Sequence, residues 1–137
     1  MDKKRIVSWM KGNQKLAEKI TDNKDDLVDI LDKVNDMKPE NKGPLEGLLD
    51  TVKELYQLVI DWKDKRYTDV SKTTIVAIIL CFLYVVTPID LILDGTPVGF
   101  LDDALVIKIT VGQIGADLKR YRSWKETQVA QIESQNS

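Results

Sequence analysis

The segment TTIVAIILCFLYVVTPI, residues 73–89, decides the fold, because it carries no charged side chain over 17 residues. Its apolar residues would surround a helix on every side instead of forming one stripe. Such a helix is either the buried centre of a helical bundle or a membrane-spanning segment. Because the segment is at the short limit for crossing a bilayer, both interpretations stay open at this point.

The apolar segment ends in TPID, a pattern typical of a break between two helices. Thr87 can cap the following helix, and Pro88 suits the first helical position because it lacks an amide hydrogen. Asp90 lies three residues after Thr87, at the spacing of a capping box. We therefore predict that the apolar helix ends or kinks at Pro88 and that Asp90 is ordered and pairs with a cation. The candidate cations are Lys72, Lys108 and Arg120.

Turn-forming residues follow in DGTPVGFLDD. Asp94 can hydrogen-bond its own backbone, Pro97 restricts φ, and Gly99 permits a positive φ. Asp102 is at the position of an N-cap, and Asp103 falls in the first turn of the next helix, where the helix dipole favours acidic residues. The whole stretch is thus predicted to be a corner between two long helices.

Amphipathic segments on both sides of the corner complete an all-α pattern. Leu27, Ile30, Leu31 and Val34 follow helical spacing, and a broad apolar stripe follows Pro44. We predict a small all-α helical bundle in which two central helices are joined by a Pro/Gly/Asp corner. The chain should form one compact unit with three parts: an N-terminal amphipathic helical hairpin over residues 1–38, a helical core over 44–125 and a frayed polar tail over 126–137.

The composition argues against several function classes. The 137 residues include 20 Lys and Arg, 22 Asp and Glu, and no His. Because these charges nearly cancel, we expect no nucleic-acid partner. The lack of His removes the commonest transition-metal ligand and the usual proton shuttle at neutral pH. Cys81 lies within the apolar segment and is predicted to be a buried structural thiol.

The corner and the helix before it resemble a family signature, which has a Tyr, then P-I-D-L-I-P-D, a short Pro/Gly turn and a closing G-x-x-D-D. The matching residues are Tyr84, Pro88, Ile89, Asp90, Leu91, Ile92, Asp94, Pro97, Gly99, Asp102 and Asp103. This arrangement resembles the mainly bacterial DUF1232 family, also called YkvA-like, over residues 55–122. The chain differs from the signature at Leu93, where the family has proline, and in a turn that is one residue shorter. The resemblance implies a helical fold and frequent membrane association, with no established reaction.

The four aspartates of the corner allow two interpretations. Asp90, Asp94, Asp102 and Asp103 are oxygen ligands on a tight turn, and they could form a hard-cation site for Mg²⁺ or Ca²⁺. A divalent-metal-dependent enzyme that uses these carboxylates is the alternative function. The other interpretation makes each one a cap, a turn former or an ion-pair partner. We favour this structural interpretation and expect no catalytic residue and no cofactor, because the spacing fits caps and matches no EF-hand pattern.

The surroundings of the apolar helix bear on whether it lies in a soluble core or in a bilayer. Lys108 interrupts the next helix, where a charge is expensive in lipid, so a soluble bundle is favoured over a membrane-attached hairpin. Basic residues flank both ends of the hairpin, as expected if both ends face the cytoplasm. They are Lys63, Lys65, Arg66 and Lys72 before it and Lys119, Arg120, Arg122 and Lys125 after it. The aromatic residues are expected to pack in the core or at helix ends: Trp9, Trp62, Tyr67, Tyr84, Tyr121 and Trp124.

These patterns favour a non-catalytic helical module over an enzyme. We expect the module to bind a protein partner, as an immunity or adaptor protein does, or to dock at the cytoplasmic face of a membrane. The N-terminus lacks the continuous apolar segment of a secretory signal, so we expect a location in the cytoplasm or at the inner face of the membrane. The residues expected to carry the structural or binding role are Tyr84, Thr87, Pro88, Asp90, Asp94, Pro97, Gly99, Asp102 and Asp103.

Overall fold

A computed structural model describes residues 3–36, 49–86 and 103–135 of the chain. Within these ranges it contains α-helices and no strand. The helices are α1 (Lys3–Gly12), α2 (Gln14–Asp22), α3 (Lys24–Asn35), α4 (Leu49–Lys63), α5 (Lys72–Val86) and α6 (Asp103–Gln135). The predicted all-α helical bundle is therefore confirmed.

Helix α5 lies at the centre of the bundle, and ten of its 15 residues are buried. Helices α2, α3, α4 and α6 all contact it. This arrangement follows from the lack of a polar face, since a helix that is apolar all round needs neighbours on every side. Cys81 is buried within α5, as its sequence context predicts. No helix in the described ranges combines the length and the apolar character that a membrane crossing requires.

The N-terminal region covers part of α5. The predicted apolar stripe of α3 is found in the core, where Leu27, Ile30, Leu31 and Val34 are all buried. Helices α2 and α3 both contact α5. Burial of one such aliphatic side chain contributes about 1.5–3 kcal/mol. The stripe therefore attaches the N-terminal region firmly to the rest of the fold.

Two asparagines divide this N-terminal region into three helices. The side-chain amide of Asn13 donates a hydrogen bond to the carbonyl of Trp9 at 2.9 Å, at the point where α1 ends. Asn23 caps α3, because its Oδ1 accepts a hydrogen bond from the amide of Asp26 at 3.1 Å. The described part of the predicted hairpin thus has bends at both asparagines.

Helix α6 has 33 residues and a length of about 50 Å. Its first part packs against α5, and Val106 and Ile107 are buried there. Further along, Tyr121 is buried against α4. The helix then continues to Gln135, through most of the segment that composition predicts to be a frayed tail. No Gly or Pro follows Gly115 to interrupt it.

Candidate functional site

The signature residues lie at the end of α5 and beyond it. Tyr84 occupies the last turn of α5, where its buried ring contacts Trp9 of α1 edge-on, with ring centroids 5.2 Å apart. Asp103 begins α6. The other predicted site residues lie outside the described residues: Thr87, Pro88, Asp90, Asp94, Pro97, Gly99 and Asp102. Their roles as caps, turn formers or ligands of Mg²⁺ or Ca²⁺ stay predictions. Among the residues that the structure describes, no three Asp, Glu or Cys side chains are grouped as metal ligands.

At the end of the α5/α6 pair that lies away from the signature residues, Asp117 of α6 binds residues at the start of α5. Its Oδ2 accepts hydrogen bonds from the Ser71 amide at 3.2 Å, the Ser71 hydroxyl at 3.1 Å and the Thr74 hydroxyl at 2.5 Å. The Ser71 hydroxyl also accepts from the amide of Thr74 and so caps α5. Arg120 forms an ion pair with the other oxygen of Asp117. Asp117 therefore binds the positive end of the α5 dipole and fixes α6 antiparallel to α5.

A second buried carboxylate, Asp61, joins α4 to α6 and is 2% exposed. The Tyr121 hydroxyl donates to its Oδ2 at 2.6 Å. Gln57 and the Nε of Arg66 donate to its Oδ1 at 3.1 and 2.9 Å. Lys65 follows α4 with a φ of 63°, and this left-handed turn brings Arg66 back over the helix end. The contacts of both carboxylate oxygens are therefore with groups of the scaffold.

An aromatic cluster covers Asp61. The ring centroid of Tyr67 lies 5.2 Å from that of Tyr121 and 4.9 Å from that of Trp124. Burial raises the pKa of the Tyr121 hydroxyl, and its hydrogen bond to Asp61 raises that pKa further. Burial also raises the pKa of Tyr67. Both phenols therefore stay protonated in the folded chain at a pH that ionises them in the unfolded chain.

We expect alkaline pH to weaken the fold through Tyr121. Its folded pKa lies above the ordinary value of 10.0, so the unfolded chain loses this proton first and the free energy of unfolding falls as the pH rises past that value. At a pH below this ordinary pKa, Tyr121 is protonated in both the folded and the unfolded chain, and its contribution to stability is fully present. The stability difference between the unchanged chain and Tyr121→Phe should therefore narrow from about pH 9 to about pH 11, by at most about 1.4 kcal/mol per pH unit. Urea unfolding at each pH measures the difference, and a constant difference would contradict this assignment.

Carboxylates of the same chain contact most of the basic residues that flank the apolar helix. The pairs are Lys63–Asp64 at 2.7 Å, Arg66–Asp61 at 2.9 Å, Lys72–Asp22 at 2.5 Å, Arg120–Asp69 at 3.6 Å and Arg122–Glu54 at 2.7 Å. The two hydrogen bonds from Arg122 to Glu54 raise the pKa of the guanidinium group. Much of the positive charge at this end of the molecule is therefore matched within the fold.

A different set of lysines has no such partners. Helices α1 and α2 together hold six basic and two acidic residues. Lys11, Lys15 and Lys19 are exposed and form no ion pair with any residue in the described ranges. Leu16 is 46% exposed and lies on the side of α2 next to Lys19. We call Lys11, Lys15, Leu16 and Lys19 the α1–α2 basic surface.

Sequence analysis did not single out Asp61, Asp117 or the α1–α2 basic surface. A signal for Asp117 was present, because it stands between Ile114 and Leu118 in the buried stripe of α6. A carboxylate at such a position needs hydrogen-bond partners. The excess of lysine in α1 and α2 was the corresponding signal for the basic surface.

Comparisons with known proteins match the signature region. A family model described as "Protein of unknown function (DUF1232)" matches residues 74–109, from α5 to the first part of α6. A Bacillus subtilis (strain 168) protein named "Uncharacterized membrane protein YkvA" is 31% identical to the chain over 71 residues. That match covers 51% of this chain and 67% of the relative. No solved structure matches the chain.

Proposed function

This chain belongs to the DUF1232 family, and on that premise we propose that it is a non-catalytic helical module that docks at the cytoplasmic face of a membrane. The proposed contact is the α1–α2 basic surface. The name of the Bacillus subtilis relative supports a membrane role, since that protein is called a membrane protein. The cytoplasmic side is part of the proposal, because anionic lipids give that leaflet its negative surface potential.

The observation that carries this proposal is the contrast between two groups of cations. Most of those at the base of the α5/α6 pair contact carboxylates of the same chain, as Lys72 does with Asp22. Lys11, Lys15 and Lys19 are exposed and have no ion-pair partner among the described residues. These three lysines and Leu16 therefore offer positive charge and apolar area together to an external anionic surface.

A bilayer that contains anionic lipid offers both interactions that this surface can make. Each lysine close to such a bilayer contributes about 1 kcal/mol of binding free energy. Leu16 adds exposed apolar area, and the partly buried Trp9 lies on the neighbouring helix. The apolar side of α2, with Ala17 and Ile20, is packed in the core, so the lysines and Leu16 are on the part of the helix that faces outwards.

The two buried carboxylates support the non-catalytic part of the proposal. Asp61 binds Tyr121 and Arg66, and Asp117 binds Ser71 at the start of α5. A general acid or base must reach a proton of the substrate, whereas these groups contact the scaffold. The alternative of a metal-dependent enzyme depends on the corner aspartates, and no contact in the described ranges favours it.

Co-sedimentation with lipid vesicles tests the docking proposal. The full chain should bind vesicles that contain phosphatidylglycerol and should bind vesicles of pure phosphatidylcholine far more weakly. The double variant Lys15→Gln, Lys19→Gln should lose about 2 kcal/mol of binding free energy, or about 30-fold in affinity, because it removes two charges from the surface. Added salt should weaken the remaining binding.

The matched control is the double variant Lys33→Gln, Lys53→Gln, which removes two exposed lysines from α3 and α4. It should bind the vesicles like the unchanged chain. Equal binding by both double variants would refute the proposed contact. No binding of the unchanged chain to anionic vesicles would refute membrane docking and would favour a protein partner.

A further inference from the structure

A cleft of about 390 Å³ opens between α1, α5 and α6. Helix α1 contributes Val7, Met10 and Lys11, which are spaced to lie on one face of that helix, and Gln14 at the start of α2 also lines the cleft. Small-molecule sites in proteins have volumes of roughly 300–1,000 Å³. The cleft is therefore large enough for a small ligand.

The lining of this cleft changes character along α5. Thr73 places an exposed hydroxyl near the start of the helix. Ala77 and Leu80 line the cleft one and two turns further on, and Ile114 of α6 adds to the apolar wall. The cleft thus has an apolar wall on α5 and polar side chains at Thr73 and at Gln113 of α6.

Among the described residues that line the cleft, one is charged, and it is Lys11. It is exposed and forms no ion pair with a residue in the described ranges. Lys11 lines the cleft together with Ala77 and Leu80 of α5. A cation beside an apolar channel complements an anion that carries a hydrocarbon tail.

We propose that this cleft binds a medium-chain fatty acid, with the carboxylate at Lys11 and the hydrocarbon chain along Ala77 and Leu80. Burial of the chain would supply most of the affinity, and the ion pair would orient the ligand. The site goes beyond the docking function, since a free fatty acid reaches it from water without a bilayer. A bound chain would also bridge α1 and α5.

Isothermal titration calorimetry with octanoate, decanoate and dodecanoate, in buffer without vesicles, tests this site. The full chain should bind one molecule of each acid, and the affinity should rise about fourfold per added methylene. Lys11→Gln should weaken decanoate binding about tenfold, because it removes the charge-assisted contact. Lys33→Gln, the matched control on α3 outside the cleft, should bind decanoate like the unchanged chain.

Ala77→Phe fills the cleft from the partly buried position of Ala77 and should abolish binding. Val7→Phe fills it from α1, so a second variant is available if Ala77→Phe fails to fold. The absence of saturable binding by the unchanged chain, or unchanged decanoate binding by a folded cleft-filling variant, would overturn the proposal. Fatty-acid binding without vesicle binding would refute membrane docking but not the cleft site. Vesicle binding without fatty-acid binding would refute the cleft site but not membrane docking.

Discussion

Replacing Asp61 with alanine should lower the free energy of unfolding by about 3 kcal/mol. The substitution leaves the buried Tyr121 hydroxyl without its acceptor and removes the carboxylate that Gln57 and Arg66 contact. Removal of one partner from a buried charged pair costs about 3–5 kcal/mol, and the loss falls at the lower end of this range because Arg66 is half-exposed. Urea unfolding followed by the helical circular dichroism signal measures the loss.

Asp64→Ala is the matched control for this substitution. Asp64 follows α4 and also pairs with Arg66, but its side chain is 37% exposed, so water replaces the lost contacts. Its free energy of unfolding should stay close to that of the unchanged chain. Equal losses for the two variants would show that burial and the Tyr121 contact do not set the importance of Asp61.

Asp117→Ala removes the other buried carboxylate and should lower the free energy of unfolding by about 3 kcal/mol. It removes the acceptor that the Ser71 amide, the Ser71 hydroxyl and the Thr74 hydroxyl share. Arg120 is half-exposed, so water solvates its charge and the loss falls at the lower end of the range for buried pairs. The same urea unfolding experiment measures it.

The control for Asp117 is Asp69→Ala, because Asp69 also pairs with Arg120. Its side chain is 73% exposed and lies 3.6 Å from the guanidinium group. A surface substitution of this kind should change the stability by about 0.5 kcal/mol or less. A loss as large as that of Asp117→Ala would place the stabilising contact at Arg120 instead of at the start of α5.

The central helix and the stripe of α3 could be predicted because burial follows from local spacing. An all-apolar segment has no side to expose, and Leu27, Ile30, Leu31 and Val34 share one face at helical spacing. Both features require only knowledge of neighbours within a few turns. The partners of Asp61 and Asp117 could not be predicted in this way, since Tyr121 lies 60 residues from Asp61 and Ser71 lies 46 residues from Asp117.

The C-terminal segment shows a second limit of local composition. Its polar residues predict fraying, yet α6 continues to Gln135. Helix formation is costly to nucleate but not to extend. Because the first part of α6 is already held against α5 and α4, the last turns only extend an existing helix.

The flanking cations show a third limit. Their positions in the sequence predict that both ends of the α5/α6 pair face the cytoplasm. In the structure Lys72, Arg120 and Arg122 contact acidic residues of other segments, which their positions in the sequence do not reveal. The predicted roles of the corner aspartates, including Asp90, stay predictions because those residues lie outside the described ranges.

A fluorescent label on α2 tests the proposed docking surface most directly. Cys81 is buried, so Leu16→Cys provides an exposed cysteine for a nitrobenzoxadiazole label, and Lys33→Cys on α3 provides the control. When vesicles containing phosphatidylglycerol are added, the label at position 16 should become brighter and its emission should shift to the blue, while the label at position 33 should not change. No change at position 16, or an equal change at both positions, would contradict docking through α1 and α2.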